Sequence, residues 1–112
     1  IYIYRPLGAG RGVSTLWVDG RLVGESLPQS FFRVAVRPGT NLITTSGNDS
    51  GRIQLKTEPN GIYFVEARVD GETQSEASTR FRQVSADTGK QTVEACCRLL
   101  ENWRPGQSRF NF

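Results

Sequence analysis

Ser14-Thr15-Leu16-Trp17-Val18-Asp19-Gly20-Arg21-Leu22-Val23-Gly24 is the stretch whose reading decides the fold. Five residues rich in β-forming side chains meet Asp-Gly, and an apolar run resumes at once. Asp-Gly tolerates the positive φ angles of the two-residue turn that matches the twist of paired strands, so the stretch reads as a tight hairpin of 14–18 with 21–23. Upstream, Ile1 to Arg5 alternates Ile and Tyr with period two and stops at Pro6; Gly8, Gly10 and Gly12 follow. That pattern predicts an edge strand and a loose connection. Downstream, Ser30 to Val36 places Phe32, Val34 and Val36 on one face and ends at Arg37-Pro38-Gly39-Thr40, where Pro-Gly fits the centre of a type II turn.

The same grammar continues along the chain. Strands are expected over 41–45, 52–57, 62–69 and 79–84, separated by the polar run 46–51, by Glu58-Pro59-Asn60-Gly61, and by Asp70-Gly71 with the polar residues after it. The 46–51 loop is expected to be well exposed. Ile62 to Val69 is the most hydrophobic strand and is expected in the middle of its sheet. Seven or eight short strands at spacings near ten residues predict an antiparallel β-sandwich rather than a βαβ fold. The period then changes. Val93, Cys96, Leu99, Leu100 and Trp103 fall at helical spacing, Thr88 and Gln91 fit a capping box, and Pro105-Gly106 is a stop, so one amphipathic helix is expected over 88–103, with 104–112 as a tail.

Bulk numbers narrow the function classes. At 112 residues with 37% apolar content the chain has room for one domain and one modest core. Histidine is absent, which removes Ser-His-Asp and Cys-His nucleophile systems and most imidazole metal sites. No apolar run approaches the roughly 20 residues that span a bilayer as a helix. The chain opens on Ile1 rather than Met, and the expectation is that a leader has been removed. The only cysteines are the neighbours Cys96 and Cys97. Adjacent thiols close an eight-membered ring, and on a helix they diverge by about 100°, so the expectation is two small apolar side chains without an internal bridge.

Tyr2-Ile3-Tyr4-Arg5-Pro6, the run from Trp17 to Gly24 with Phe31-Phe32 and Arg37-Pro38-Gly39-Thr40, and Gly61-Ile62-Tyr63-Phe64-Val65 together resemble an uncharacterised family of small bacterial envelope lipoproteins. The resemblance spans about residues 1 to 85, and its middle part is also similar to the PEGA-type module. It implies an immunoglobulin- or transthyretin-like β-sandwich, held in the natural precursor by a lipidated N-terminal Cys behind a signal peptide. Neither the Cys nor the signal is in this sequence, and Asn41 stands where many relatives carry His. The family supplies no catalytic residue to carry over.

Sites are sparse. The carboxylates Asp19, Glu25, Asp49, Glu58, Glu66, Asp70, Glu72 and Glu76 sit mostly at turns, where solvation and backbone bonding account for them. Ser14, Ser26 and Ser30 have no base to activate them, and the Gly8 to Gly12 run lacks the spacing and the Lys-Ser/Thr of a phosphate loop. No catalytic residue, cofactor or metal is therefore expected. Twelve of the fourteen basic residues are Arg, and Arg33, Arg52, Arg68, Arg80 and Arg82 on polar strand faces are candidate anion contacts. Tyr2, Tyr4, Phe110 and Phe112, with the edge formed by 1–5, are candidate contacts for a partner. The expected function is that of a non-enzymatic periplasmic or outer-membrane-associated structural or interaction module. Other envelope proteins are its expected partners, and nucleic acid is not one. The alternatives are an Arg/aromatic module for an anionic lipid or glycan and, less favoured, an enzyme using carboxylates or a Cys thiolate.

Overall fold

A computed structural model describes residues 1–6, 12–46, 49–73 and 77–100. The strands are β1 (Tyr2–Arg5), β2 (Ser14–Val18), β3 (Arg21–Ser26), β4 (Ser30–Arg33), β5 (Gly39–Thr45), β6 (Arg52–Thr57), β7 (Phe64–Asp70) and β8 (Ser78–Val84). Helix α1 (Ala86–Cys96) and a short strand β9 (Arg98–Leu100) complete the described chain. The strands form two sheets, one in the order β8-β7-β1-β4-β9 and one in the order β3-β2-β5-β6. The fold is a mainly-β sandwich with one C-terminal helix.

The decisive hairpin forms as its sequence requires. Asp19 and Gly20 have φ of 52° and 79°, the pair of positive values a type I′ turn needs, and Trp17 faces Leu22 across it. Between the sheets lie Ile3, Phe32, Val65 and Ala67 from one side and Leu16, Val18, Val23, Ile43 and Leu55 from the other. Alternation along each strand sends these residues inward and their neighbours outward. The outer face of the five-stranded sheet carries a second apolar cluster, in which Val93 of α1 covers Tyr4 and Phe64.

Several expectations change. The segment 1–5 is not an edge: β1 lies in the middle of its sheet, antiparallel to β4 and parallel to β7. Its alternating Ile and Tyr face two different apolar clusters, and a strand buried on both faces belongs inside a sheet. That sheet is mixed rather than antiparallel, since β4 also pairs with β9 in parallel. Strand β4 stops at Arg33, and residues 34–38 cross toward the other sheet; Val34 still keeps the expected inward direction. The 46–51 loop is tied down at its end, with Gly51 buried.

The helix is capped by Ser85, whose Oγ accepts from the Thr88 amide at 3.2 Å, and it ends at Cys96 instead of continuing to residue 103. Cys97 leaves the helix with extended backbone, φ −130° and ψ 146°. Its side chain is thereby released from the helical 100° offset, and Cys96 and Cys97 are joined in a disulfide, contrary to expectation. The expected tail 104–112 and the Gly8 and Gly10 connection lie outside the described residues.

Candidate functional site

The five arginines singled out in the sequence fall in three separate places. Arg68, Arg80 and Arg82 share the outer face of the β7–β8 hairpin, where Arg68 faces Arg80 and Arg82 faces Glu66. Each guanidinium has a carboxylate: Arg68 Nε donates to Glu66 Oε1 at 2.7 Å, Arg82 Nη2 lies 3.4 Å from Glu66 Oε2, and Arg80 Nη2 donates to Asp70 Oδ2 at 2.9 Å. Two carboxylates among three guanidiniums leave a single surplus positive charge. The Arg side chains stay largely in solvent, where water and salt screen such pairs and keep them weak. Arg33 stands at the far end of the same sheet beside Tyr2, and Arg52 lies on the outer face of the other sheet opposite Thr44. The fold therefore makes a charge-alternating hairpin face rather than one five-arginine surface.

The aromatic candidates divide as well. Tyr4 is buried, with its hydroxyl 3.5 Å from Glu66 Oε2. Burial, reinforced by the Glu66 charge, raises its pKa above the usual phenol value. It is a core residue and offers nothing to a partner. Tyr2 is half-buried, stacked on Phe64 with ring centroids 4.9 Å apart and 6.1 Å from Phe31. Phe110 and Phe112 lie outside the described residues.

What the sequence did not suggest is a cleft at one end of the sandwich, with a volume of about 420 Å³. Two stretches that switch between sheets build it. Residues 34–38 contribute Val34, Val36 and Pro38, and residues 58–63 contribute Pro59, Ile62 and Tyr63. Proline lacks the N–H a ladder requires, so Pro38 and Pro59 keep both stretches out of the sheets and their side chains free to form walls. The second stretch is locked by a turn in which the Gly61 amide donates to Glu58 O at 3.1 Å, with φ of 63° at Asn60. The Glu58 amide also donates to the Tyr63 hydroxyl at 2.9 Å. Ile62 is 62% exposed, the highest among the exposed large hydrophobic residues described. Arg33 and Glu58 are the charged side chains among the lining residues. The two Pro-Gly and Pro-Asn-Gly signals are legible as turns; that they stand side by side depends on how the sheets pack.

Two further polar residues tie the strands together. Arg5 is buried, with Nη1 donating to Ser26 O at 2.9 Å, and burial lowers its pKa. Asp49 accepts from the Ser14 hydroxyl at 2.8 Å, the Thr79 amide at 2.9 Å, the Thr79 hydroxyl at 2.6 Å and the Gly51 amide at 3.1 Å. Burial by itself would raise the carboxyl pKa, but these bonds favour the ionised form more strongly and hold it below the usual carboxylate value. With its lone pairs already occupied by β2, β8 and its own loop, Asp49 is a structural clamp. Among the described residues no three Cys, Asp or Glu side chains converge as metal ligands. Among them, too, no helix is long and apolar enough to cross a membrane.

No protein-family model matches this chain, and no solved structure matches it. It is similar to an uncharacterized protein of Haemophilus influenzae, with 33% identity over 67 residues, covering 58% of this chain and 40% of that protein. The chain thus spans well under half the length of the relative it matches.

Proposed function

We propose that this chain is a non-enzymatic interaction module of a bacterial cell envelope, the folded part of a lipoprotein, and that it holds a partner protein through the cleft between residues 34–38 and 58–63. The observation that carries the reading is Ile62, an exposed aliphatic side chain on a concave wall of Val34, Val36, Pro38, Pro59 and Tyr63. Concave, mostly apolar surfaces with a few polar groups are where binding energy concentrates. The occupant that fits is a protein loop bearing an apolar side chain. Location outside the cytoplasm is supported by the resemblance of residues 1 to 85 to envelope lipoproteins.

The test combines location with contact. Cells producing the full natural precursor are fractionated, and a photo-crosslinking residue is placed at position 62 or, as a control, at exposed Gln54. The expected result is membrane-fraction recovery and one discrete protein adduct at 62 that is absent at 54. Recovery in the cytosol would overturn the location, and identical adduct patterns at the two positions would overturn the cleft.

The alternative, binding of an anionic lipid or glycan through arginine, has less support because the Arg68, Arg80 and Arg82 guanidiniums already meet Glu66 and Asp70. The expected outcome is no retention on anionic vesicles even at low ionic strength. Retention that is lost in an Arg68→Ala/Arg80→Ala/Arg82→Ala variant and weakened by salt would replace the cleft reading with this one.

A further inference from the structure

We infer that Cys96 and Cys97 form a redox-controlled stop for helix α1, and that the oxidation state of the pair decides whether residues 98–100 add a strand to the sheet edge or continue the helix. The argument begins with a mismatch. Val93, Cys96, Leu100 and Trp103 keep helical spacing, and Arg98, Leu99, Leu100 and Glu101 are good helix formers, yet the helix ends at Cys96. No proline or glycine lies between Cys96 and Trp103. What interrupts the helix is the covalent pairing of two neighbours.

In an unbroken helix adjacent side chains point about 100° apart, so the two sulfur atoms meet only when Cys97 takes extended backbone, as it does here. Disulfide and helical Cys97 therefore exclude one another. Exclusion is thermodynamic linkage: oxidation stabilises the extended form, and reduction removes that bias.

The two arrangements are close competitors. Strand β9 is only three residues long, pairs in parallel with Ser30 to Phe32, and leaves Leu99 58% exposed. Its attachment includes the Arg98 amide donating to Gln29 O at 3.0 Å, whereas the Cys97 amide already makes the helical i→i−4 bond to Val93 O at 3.0 Å. Continuing the helix through residues 97–100 would exchange the Arg98–Gln29 bond for a helical one and lengthen α1 beyond its 11 residues. It would also uncover the outer edge of β4, an unpaired row of backbone groups of the kind that accepts an added strand.

The chemical step requires a dithiol reductant. One of its thiolates attacks a Cys sulfur, breaking the Cys96–Cys97 bond and forming a mixed disulfide, while the departing Cys thiolate takes a proton. The second thiol of the reductant then attacks the mixed disulfide and releases the other Cys as its thiol. In balance, two electrons and two protons pass to the protein and the dithiol becomes a disulfide.

The experiment compares the air-oxidised chain, the same chain reduced by a small dithiol, and a Cys96→Ser/Cys97→Ser variant. Intact mass reports the two-hydrogen difference, residue-resolved hydrogen exchange reports the backbone, and far-ultraviolet circular dichroism reports helix. On reduction, exchange at the Arg98 amide is expected to rise at least about tenfold while β7 and β8 keep their protection, with a gain of helical signal. The double variant is expected to match the reduced chain. Unchanged Arg98 protection in all three forms would overturn the inference. So would the absence of the disulfide in the oxidised chain. Loss of protection throughout both sheets would overturn it as well, because the bond would then be a general staple rather than a local stop.

Discussion

Replacing Asp49 by Ala is expected to destabilise the domain by about 3 kcal/mol at pH 7, seen as a fall in urea midpoint without a change in slope. The size follows from what is left behind. The Ser14 hydroxyl, the Thr79 amide and hydroxyl and the Gly51 amide all lose an acceptor, and Ser14, Gly51 and Thr79 are buried, so water does not simply replace it. A charged acceptor bonded to several donors is worth more than a neutral one. The loss also reaches across the molecule, because Ser14 is in β2 of one sheet and Thr79 in β8 of the other.

The effect carries a pH signature with a definite sign. The folded-state pKa of Asp49 lies below its unfolded value, so the stabilisation is complete above the unfolded value and is lost as pH falls through the folded one. The difference between wild type and Asp49→Ala should thus be constant near neutrality and shrink below about pH 4. Asp49→Asn should fall between the two, since it keeps one acceptor oxygen and turns an amide donor toward donors. A difference under about 1 kcal/mol at pH 7, or one equally large at pH 3, would show that Asp49 is not the clamp described.

The second large effect runs against helix propensity. In an exposed helix, Gly→Ala stabilises by about 1 kcal/mol. Gly89 is at an interior position of α1 and buried, and a Cβ built there would come within 2.3 Å of Phe64 Cβ and Cγ. Those are the atoms nearest the backbone of a strand in the middle of its sheet, so they have little freedom to retreat. Overpacking of this kind costs about 1–3 kcal/mol, and here the contact is closer than any relaxation of a side-chain tip can relieve.

Gly89→Ala is therefore expected to be net destabilising by about 2 kcal/mol and to weaken the Tyr2–Phe64 stack, read as a loss of near-ultraviolet circular dichroism. Lys90→Ala, one residue on and exposed, should change stability by less than about 0.5 kcal/mol. A stabilising Gly89→Ala would mean that α1 does not dock on Phe64.

Hairpin β2–β3, the turns at Pro38-Gly39 and Pro59-Asn60, and the hydrophobic strand β7 were all legible, because each depends on residues within about ten positions of one another. Helix α1 was legible in kind but not in extent. Thr88 looks like a cap until Ser85 is seen to do the capping, and the spacing beyond Cys96 is helical although the backbone is not. The candidate site was least legible. Tyr4 and Tyr2 read as an exposed edge because alternation identifies a strand without telling how many neighbours it has. Arg68, Arg80 and Arg82 read as free charge because cross-strand register, which delivers Glu66 and Asp70 to them, is a property of pairing.

Sequence by itself determined the class of this protein, a chain of short strands and turns with one helix after them and no histidine chemistry. These are local facts, written in period, turn residues and composition. Tertiary structure alone decided that β1 is interior, that Asp49 joins two sheets, that 34–38 and 58–63 form a cleft around Ile62, and that Cys96 and Cys97 can meet. Each of these depends on residues far apart in the chain or, for the cysteines, on an extended backbone at Cys97 that helical spacing does not reveal. Local sequence states how each segment would fold if it were free; the sandwich chooses among those options by which apolar faces it can bury together.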